Sequence, residues 1–170
     1  MKEIIYIEDF IDDSLISFDE LKTEIKWDER MKARLTASFG VAYNYSNISY
    51  TFQEMLPVID NLCNQIYAKL NFLPNNCLIN YYPNGKSKMG FHSDQIDVLA
   101  ENTGIVIISL GETRSLKFRN IKNYSETFEF QLLSGSLIYM SQQTQQIWQH
   151  SIPNSKTEND RMSLTFRKIK

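Results

Sequence analysis

The sequence contains only two histidines, and the first of them stands two residues before an aspartate, in the order His92-Ser93-Asp94. On a β-strand, side chains two residues apart point to the same face, so His92 and Asp94 can reach one point above a sheet. The second histidine, His150, follows far down the chain. Two imidazoles and one carboxylate are ligands that divalent metals accept, and these three residues therefore form a candidate metal site.

A ligand set of two histidines and one carboxylate is typical of non-haem Fe(II) oxygenases, in which the ligands occupy one face of an octahedron. The three other positions are then open for a bidentate co-substrate and dioxygen. The same ligands can also hold zinc in a binding module without catalytic activity. A histidine that simply lies beside an acid on the surface is a third interpretation, so the pattern needs support from elsewhere in the chain.

Polar side chains at even spacing in two further segments give that support. Arg161 and Arg167 lie six residues apart in the stretch R-M-S-L-T-F-R, which places both guanidiniums on one side of a strand. A guanidinium binds a carboxylate through two parallel hydrogen bonds, so the pair suits a dicarboxylate held beside a metal. Asn80 and Tyr82 add an amide and a phenol that can hydrogen-bond a carboxylate or a keto group. Alternatively, the arginines are solvated on an edge strand and the polar pair merely ends a strand.

The elements that must position these residues are predicted to be mostly strands. Ser17 with Glu20 forms a capping box for a short helix through about Ile25. Pro57 fits the first turn of a second helix, and an apolar stripe at three- and four-residue intervals follows it, namely Ile59, Leu62, Cys63, Ile66, Tyr67 and Leu70.

From residue 78 onward, short β-branched or aromatic runs follow one another between turn formers, in the order LINYY, GIVIISL, SLKFR, TFEFQL, GSLIYM and RMSLTFR. The runs show no βα rhythm and no repeat. This succession predicts a mainly β fold with flanking helices, in the form of a β-sandwich or jelly roll.

Composition and charge limit the class of protein further. With 170 residues, of which 42% are hydrophobic, the chain can bury one sizeable core, and we expect a single domain over residues 1–170. The apolar runs are too short to span a membrane, and the N-terminal stretch lacks the features of a signal peptide. We expect a cytoplasmic monomer in which Cys63 and Cys77 stay reduced. A net charge of -2 does not favour a protein that grips long nucleic acids through their phosphates.

Taken in order, these stretches resemble the AlkB family of Fe(II)/2-oxoglutarate-dependent dioxygenases. The resemblance extends from about Arg34 to Arg167 and includes C-L-I-N-Y-Y-P-N-G, G-F-H-S-D, I-I-S-L-G-E-T-R-S-L-K-F-R, W-Q-H-S-I-P and R-M-S-L-T-F-R. It implies a double-stranded β-helix, a form of jelly roll, over about residues 75–170. It also implies catalytic ligands for Fe(II) and a set of residues for 2-oxoglutarate. The implied iron ligands are His92, Asp94 and His150, and the implied co-substrate residues are Asn80, Tyr82, Arg161, Ser163 and Arg167.

The segment of about residues 30–50 resembles the substrate-recognition segment of the nucleic-acid demethylases in that family. By this resemblance Tyr43 hydrogen-bonds near a flipped-out methylated base, and Tyr45 stacks on the base opposite His92. The implied reaction consumes dioxygen, converts 2-oxoglutarate to succinate, hydroxylates an N-methyl group and releases formaldehyde. The implied partner is methylated single-stranded DNA or RNA, and the implied biological role is alkylation repair.

Some residues depart from the family's pattern. Gln95 follows the metal-binding aspartate, where repair members often have an acidic residue that reads the methylated base. Ser163 stands where some members have asparagine. The basic residues Lys117, Arg119 and Lys122 can line a groove for a single strand or form a solvated hairpin face. The same oxygenase core acting on a small metabolite, a nucleoside or a peptide side chain is therefore the alternative function.

Overall fold

Three α-helices flank a body of β-strands in the computed structural model, which describes residues 3–170. The first two residues of the expected domain lie outside the described residues. The helices are α1 (Phe18–Glu24), α2 (Pro57–Leu70) and α3 (Gln142–Ile147). The predicted cap of α1 is confirmed, because Ser17 Oγ accepts a hydrogen bond from the Glu20 backbone N–H at 3.2 Å. The predicted start of α2 at Pro57 is confirmed as well.

The described residues form twelve β-strands in three antiparallel sheets. A six-stranded sheet has the order β1-β10-β7-β12-β5-β2, a four-stranded sheet has the order β6-β11-β8-β9, and β3 pairs with β4. The bounds are β1 Ile4–Ile7, β2 Leu35–Gly40, β3 Tyr43–Tyr45, β4 Ile48–Tyr50, β5 Asn76–Tyr82, β6 Met89–His92, β7 Gly104–Gly111, β8 Arg114–Asn120, β9 Thr127–Leu132, β10 Leu137–Ser141, β11 Trp148–Ile152 and β12 Arg161–Arg167. Two facing antiparallel sheets with flanking helices confirm the predicted jelly roll.

Alternation along the six-stranded sheet creates two cores. On β7, Val106 and Ile108 belong to the core that α2 covers, whereas Ile105 and Ile107 belong to the core shared with the four-stranded sheet. The predicted stripe of α2 is buried at Ile59, Leu62, Cys63 and Ile66. The inclusion of Tyr67 in that stripe is wrong, because its side chain is 53% exposed. At 100° per residue, Tyr67 lies about 80° around the helix from Ile59, at the edge of the buried face.

The same alternation gives β12 one polar face. Met162, Leu164 and Phe166 pack into the helix-side core, so the residues between them face the four-stranded sheet. Strand β12 pairs with β5, and this pairing sets Arg161 opposite Tyr82 and Ser163 opposite Asn80. Four of the residues expected to hold the co-substrate are therefore cross-strand neighbours on one face.

Several short elements escaped the sequence analysis, namely β1, β3, β4, β11 and α3. Strands β3 and β4 are three residues each and are joined by Ser46 and Asn47, both with positive φ angles of 49° and 62°. Elements of this length carry too few residues for a periodic pattern to identify them. No helix in residues 3–170 has the length and apolar character that crossing a membrane requires.

Candidate metal centre and active site

The three residues proposed as metal ligands meet beside the core of the four-stranded sheet. His92 ends β6 and His150 lies in β11, and the two are Cα partners across the strand pair. His92 Nε2 is 3.9 Å from Asp94 Oδ1, and His150 Nε2 is 3.7 Å from Asp94 Oδ2. One ligand atom from each residue lies within 4.8 Å of the others. Since metal–ligand bonds are about 2.1 Å long, this cluster can close on one ion.

The segment that carries Asp94 differs from the expected strand. Strand β6 ends at His92, so Asp94 lies beyond the strand rather than within it. Ser93 Oγ donates a hydrogen bond to the Trp148 carbonyl oxygen at 3.1 Å, and the Asp94 N–H donates to Gln145 Oε1 at 2.9 Å. Contacts with β11 and α3 therefore hold the backbone that carries the Asp94 carboxylate. Sequence alternation had predicted that the strand would continue through Asp94.

The protonation states at the cluster suit metal binding. Burial lowers the pKa of His150 to about 4, so its imidazole is neutral near pH 7. Burial acts against the charge of Asp94, but Arg167 and the two histidines outweigh this effect and lower its pKa. His92 Nδ1 lies 2.8 Å from the Gly90 carbonyl oxygen, which only accepts, so Nδ1 carries the proton. The Nε2 lone pair of His92 is then available as a ligand.

Arg161 is buried with part of its guanidinium unpartnered. Its Nη2 donates to Ser109 Oγ at 2.9 Å, and the guanidinium carbon lies 5.1 Å from the centre of the Tyr82 ring. Its Nε and Nη1 are buried and have no hydrogen-bond partner among the described residues. Burial lowers the pKa of Arg161, which shows that the site disfavours an uncompensated charge. A buried cation of this kind suits an anionic ligand.

A second buried arginine strengthens the positive field around Tyr82. The Arg114 guanidinium carbon lies 5.6 Å from the centre of the Tyr82 ring. Its two terminal nitrogens donate to the carbonyl oxygens of Asn84, Ser87 and Pro153, at 3.3, 2.9 and 2.8 Å. These acceptors are neutral, and although the Glu112 carboxylate is near enough to act on Arg114, none of the ion pairs found in residues 3–170 includes Arg114. The charge of Arg114 adds to that of the neighbouring Arg161.

Arg167 lies at the other end of the polar face of β12. Its Nη2 donates to Asp94 Oδ1 at 3.1 Å, and the guanidinium carbon lies 4.8 Å from the centre of the Tyr43 ring. Six residues of strand separate the Cα atoms of Arg161 and Arg167 by about 20 Å. The two guanidiniums therefore reach different parts of the site, one beside Tyr82 and one beside the metal ligands.

A pocket of about 550 Å³ opens beside the candidate metal centre, with Tyr43, Tyr45, His92 and Gln95 among its lining residues. The two tyrosine rings are stacked with centroids 6.3 Å apart. Tyr43 is buried, whereas Gln95 is exposed at the pocket. The volume falls in the range of about 300–1,000 Å³ that small-molecule pockets occupy, which is sufficient for a nucleobase.

Two positioning residues were missed by the sequence analysis. Arg34 is buried, and its guanidinium donates to Asn80 Oδ1 at 2.8 Å, to the Lys88 carbonyl oxygen at 3.0 Å and to the Tyr45 hydroxyl at 2.6 Å. It thereby joins Asn80, which the sequence analysis expected to hold the co-substrate, to Tyr45 of the pocket. A charged side chain at the start of the otherwise uncharged stretch L-T-A-S-F-G was the available signal. Gln145, the partner of Asp94, lies in a run of glutamines that gave no signal.

The fold and the site together define the class of protein. The family described as the 2OG-Fe(II) oxygenase superfamily matches residues 19–167, so the chain belongs to this superfamily. Members of the superfamily use Fe(II), 2-oxoglutarate and dioxygen, and the cluster of His92, Asp94 and His150 can bind iron. The resemblance to AlkB proteins seen in the sequence is confirmed by the relatives.

Those relatives carry AlkB names. The chain is 29% identical over 153 residues to the DNA oxidative demethylase ALKBH2 of Bos taurus, with 85% of this chain and 55% of that protein covered. It is 30% identical over 172 residues to the alpha-ketoglutarate-dependent dioxygenase alkB homolog 3 of Bos taurus, with 89% and 60% covered. The chain thus spans little more than half the length of these relatives.

The solved structure of OsALKBH1 has the same fold, with a TM-score of 0.68, 15% identity and 99% of both chains covered.

Proposed function

We propose that this chain is an Fe(II)- and 2-oxoglutarate-dependent dioxygenase that removes methyl groups from N-alkylated bases in single-stranded DNA or RNA. The observation that carries the proposal is the buried Arg161. It lies on the face of the six-stranded sheet that is turned toward the four-stranded sheet with His92 and His150, and two of its nitrogens have no hydrogen-bond partner among the described residues. A structural arginine would have its donors satisfied. An arginine that awaits a carboxylate leaves them open.

The co-substrate lies, in this proposal, between Tyr82 and the metal ligands. Arg161 takes the carboxylate far from the metal, because its open donors and the nearby charge of Arg114 favour an anion there. Asn80 and Ser163 line the path between the two ends, since they are cross-strand neighbours on the same face. Arg167 holds the Asp94 carboxylate in its charged form and orients it toward the two histidines.

The metal site proposed here uses Nε2 of both histidines and the Asp94 carboxylate. When bound there, iron together with 2-oxoglutarate and dioxygen supplies the oxidation of a substrate C–H bond, with succinate and carbon dioxide as co-products. The neutral imidazole of His150 and the charged carboxylate of Asp94 are the ligand forms that this chemistry needs. Hydroxylation of an N-methyl group gives a product that releases formaldehyde and leaves the unmethylated base.

The substrate pocket supports a nucleobase as the group that is oxidised. Two stacked tyrosines wall a pocket that also contains His92, and aromatic rings are the usual platform for a base taken out of its stack. Tyr45 is held by Arg34, so its ring has a fixed orientation. Gln95 at the pocket offers an amide that can both donate to and accept from a base edge.

The test is mass spectrometry of single-stranded DNA and RNA oligonucleotides that carry 1-methyladenine or 3-methylcytosine. They are incubated with the protein, Fe(II), 2-oxoglutarate and air, and succinate is measured in the same reaction. We expect one methyl mass to be lost, with succinate formed alongside, and both to disappear in His150→Ala. Ser151→Ala is the matched control, because this neighbouring residue of β11 faces the other side of the strand.

A different result would favour the second candidate function, which is an oxygenase that acts on small molecules. Succinate that forms with methylated nucleosides or small amines, while every oligonucleotide keeps its methyl group, would identify a small-molecule oxygenase. Gln95 favours that alternative, because a neutral amide gives up the charge that would attract a cationic methylated base. Retention of activity in His150→Ala would contradict the metal assignment itself.

The organisation of the protein is part of the proposal. Residues 1–170 act as one domain, with a substrate-recognition segment at about 30–50 and a catalytic jelly roll at about 75–170. Strand β2 of the first segment pairs with β5 of the second, which supports one folding unit. Cys63 and Cys77 are free and buried, which supports a reducing cytoplasm as its location. We propose a monomer, and light scattering tests this.

A further inference from the structure

A stack of three side chains crosses the outer face of the four-stranded sheet. The Arg119 guanidinium carbon lies 4.1 Å from the centre of the Phe91 ring and 4.0 Å from the centre of the Tyr124 ring. The guanidinium is therefore sandwiched between two aromatic faces. Arg119 Nε donates to Gln149 Oε1 at 2.9 Å, and this bond fixes the plane of the group.

The charge of Arg119 is not compensated by an acid. None of the ion pairs found in residues 3–170 includes Arg119, and Gln149 is the acceptor for its Nε alone. The two terminal nitrogens thus keep their N–H groups for an outside acceptor. A guanidinium held flat in this way is preorganised to bind a phosphate through two parallel hydrogen bonds.

The charged groups around the stack are unevenly placed. Lys117 and Lys122 are exposed, on β8 and in the turn that follows it. The acidic residues of the hairpin are Glu126 and Glu129, which lie beside or on β9. Glu129 is the cross-strand partner of Lys117, and Glu126 is two residues from Tyr124. Strand β9 is the sheet edge opposite β6, so both acids lie at the Tyr124 end of the stack, and Arg119 itself has the uncharged Thr127 as its partner on β9.

The stack begins at the rim of the substrate pocket. Phe91 is among the residues that line this pocket, and it directly precedes His92 on the edge strand β6. Gln149 and Arg119 are Cα partners on the next two strands. A nucleic-acid strand that leaves the pocket over the edge of β6 therefore meets Phe91, then Arg119 and then Tyr124, a residue that is 58% exposed.

We propose that Phe91, Arg119 and Tyr124 form a second binding surface for single-stranded nucleic acid, which takes the nucleotides next to the one in the pocket. Arg119 binds a phosphodiester group, and the exposed face of Tyr124 stacks on a base. This inference rests on the proposed function, because it assigns the surface to the same substrate. The surface would make the protein bind single-stranded nucleic acid more tightly than a free nucleotide, even though the net charge of the chain is -2.

The test compares how the protein handles a single-stranded oligonucleotide and a mononucleotide, which is too small to reach the second surface. A fluorescein-labelled single-stranded oligonucleotide of about ten nucleotides carrying one 1-methyladenine is titrated by anisotropy at several salt concentrations. We expect Arg119→Gln to raise the Kd of the oligonucleotide about tenfold. We also expect the slope of log affinity against log salt to fall by about 0.7, the value for one lost phosphate contact on a single strand.

Turnover of 1-methyladenosine 5′-monophosphate in parallel gives the second readout. The ratio of kcat/KM for the oligonucleotide to kcat/KM for the mononucleotide should fall about tenfold in Arg119→Gln. Tyr124→Leu should weaken binding of the oligonucleotide without changing the dependence of the affinity on salt, because it removes a stacking surface and no charge. Lys69→Gln, an exposed charge change on α2, is the control and should match the wild type.

The outcomes separate this inference from the proposed function. Unchanged affinity and salt slope in both Arg119→Gln and Tyr124→Leu, with the wild type still demethylating the oligonucleotide, overturn the surface and leave the function in place. Oligonucleotide binding that depends on Arg119 without loss of the methyl group supports the surface and overturns the reaction. Failure of the wild type to bind or demethylate any oligonucleotide overturns both. Circular dichroism of each variant excludes unfolding as the cause.

Discussion

The buried arginines of this protein fall into two groups, which differ in how many of their N–H donors have a hydrogen-bond partner. Arg34 and Arg114 are buried, but backbone and side-chain oxygens satisfy most of their donors. Arg161 has two buried nitrogens with no hydrogen-bond partner in the part of the chain that the structure describes, and so does Arg167. Because an unsatisfied buried donor costs about 1–3 kcal/mol, such groups persist where a ligand completes them. The residues that await a partner are thus the ones assigned to binding.

Arg161→Ala should weaken 2-oxoglutarate binding about 10- to 100-fold, because it removes the charge-assisted hydrogen bonds to the distal carboxylate. Succinate formation measured against 2-oxoglutarate concentration gives the effect. Ser109→Ala removes only the protein's hydrogen bond to Arg161 and should have a much smaller effect. An unchanged 2-oxoglutarate requirement in Arg161→Ala would move the carboxylate site elsewhere.

Among the elements, α3 is short and yet positions a residue of the site. It spans Gln142–Ile147 between β10 and β11, and Ser141 caps it by accepting a hydrogen bond from the Thr144 N–H at 3.2 Å. The helix turns the buried Gln145 toward the Asp94 backbone. Groups that orient a ligand in this way usually change metal affinity by about 10- to 100-fold when they are lost.

Gln145→Leu should therefore reduce the affinity for Co(II), used as a spectroscopic substitute for Fe(II), about tenfold. Gln145→Glu keeps an acceptor oxygen for the Asp94 N–H and should retain more of the affinity. Gln146→Leu is the matched control, since this neighbouring glutamine is exposed. Equal Co(II) affinities in Gln145→Leu and Gln146→Leu would show that Gln145 does not position the carboxylate.

The long helix α2 contributes stability through one face only. Ile66 is fully buried against the six-stranded sheet, and its neighbour Tyr67 is 53% exposed. Ile66→Ala should lower the free energy of unfolding by about 2–5 kcal/mol, because it leaves a cavity in the core. Tyr67→Ala should change it by less than about 0.5 kcal/mol. Urea denaturation measures both, and similar losses in the two variants would contradict the packing of α2.

In the molecule as a whole, the helix-side core contributes stability, whereas the space between the two sheets also contains the residues of the candidate site. The helix-side core is apolar and contains both cysteines, whereas the space between the two sheets also holds the polar faces of β5 and β12. Burial raises the pKa of the Cys63 thiol to about 12 and that of Cys77 well above its ordinary value. The thiols are therefore protonated and unreactive in the folded protein.

Iodoacetamide at pH 8.5 should modify neither cysteine in the folded protein and both in urea, as read by intact mass. Because the folded-state pKa values are raised, the thiols contribute stability that is complete below about pH 8.5 and declines as the pH rises further. Cys77→Ala should remove part of that decline. Rapid labelling of the folded protein would show that the helix-side core opens easily.

Much of the fold follows from local pattern. The six strand runs from residue 78 onward and both longer helices are in the structure, because their alternation, stripes and caps are properties of neighbouring residues. Strands β1, β3, β4 and β11 and helix α3, which have three to six residues each, were missed for the opposite reason. Strand β11 and helix α3 exist because tertiary partners complete them, and no pattern within so few residues encodes that.

The sequence by itself determined which residues could do chemistry: even spacing placed Arg161 and Arg167, and likewise Asn80 and Tyr82, on one strand face. Only the tertiary structure decided which of them work together. The pairing of β6 with β11 brings His150 to His92, and the register of β12 on β5 sets Arg161 beside Tyr82. Contacts such as Arg34 with Tyr45 or Gln145 with Asp94 join residues distant in the chain, so they arise only when the sheets and α3 pack.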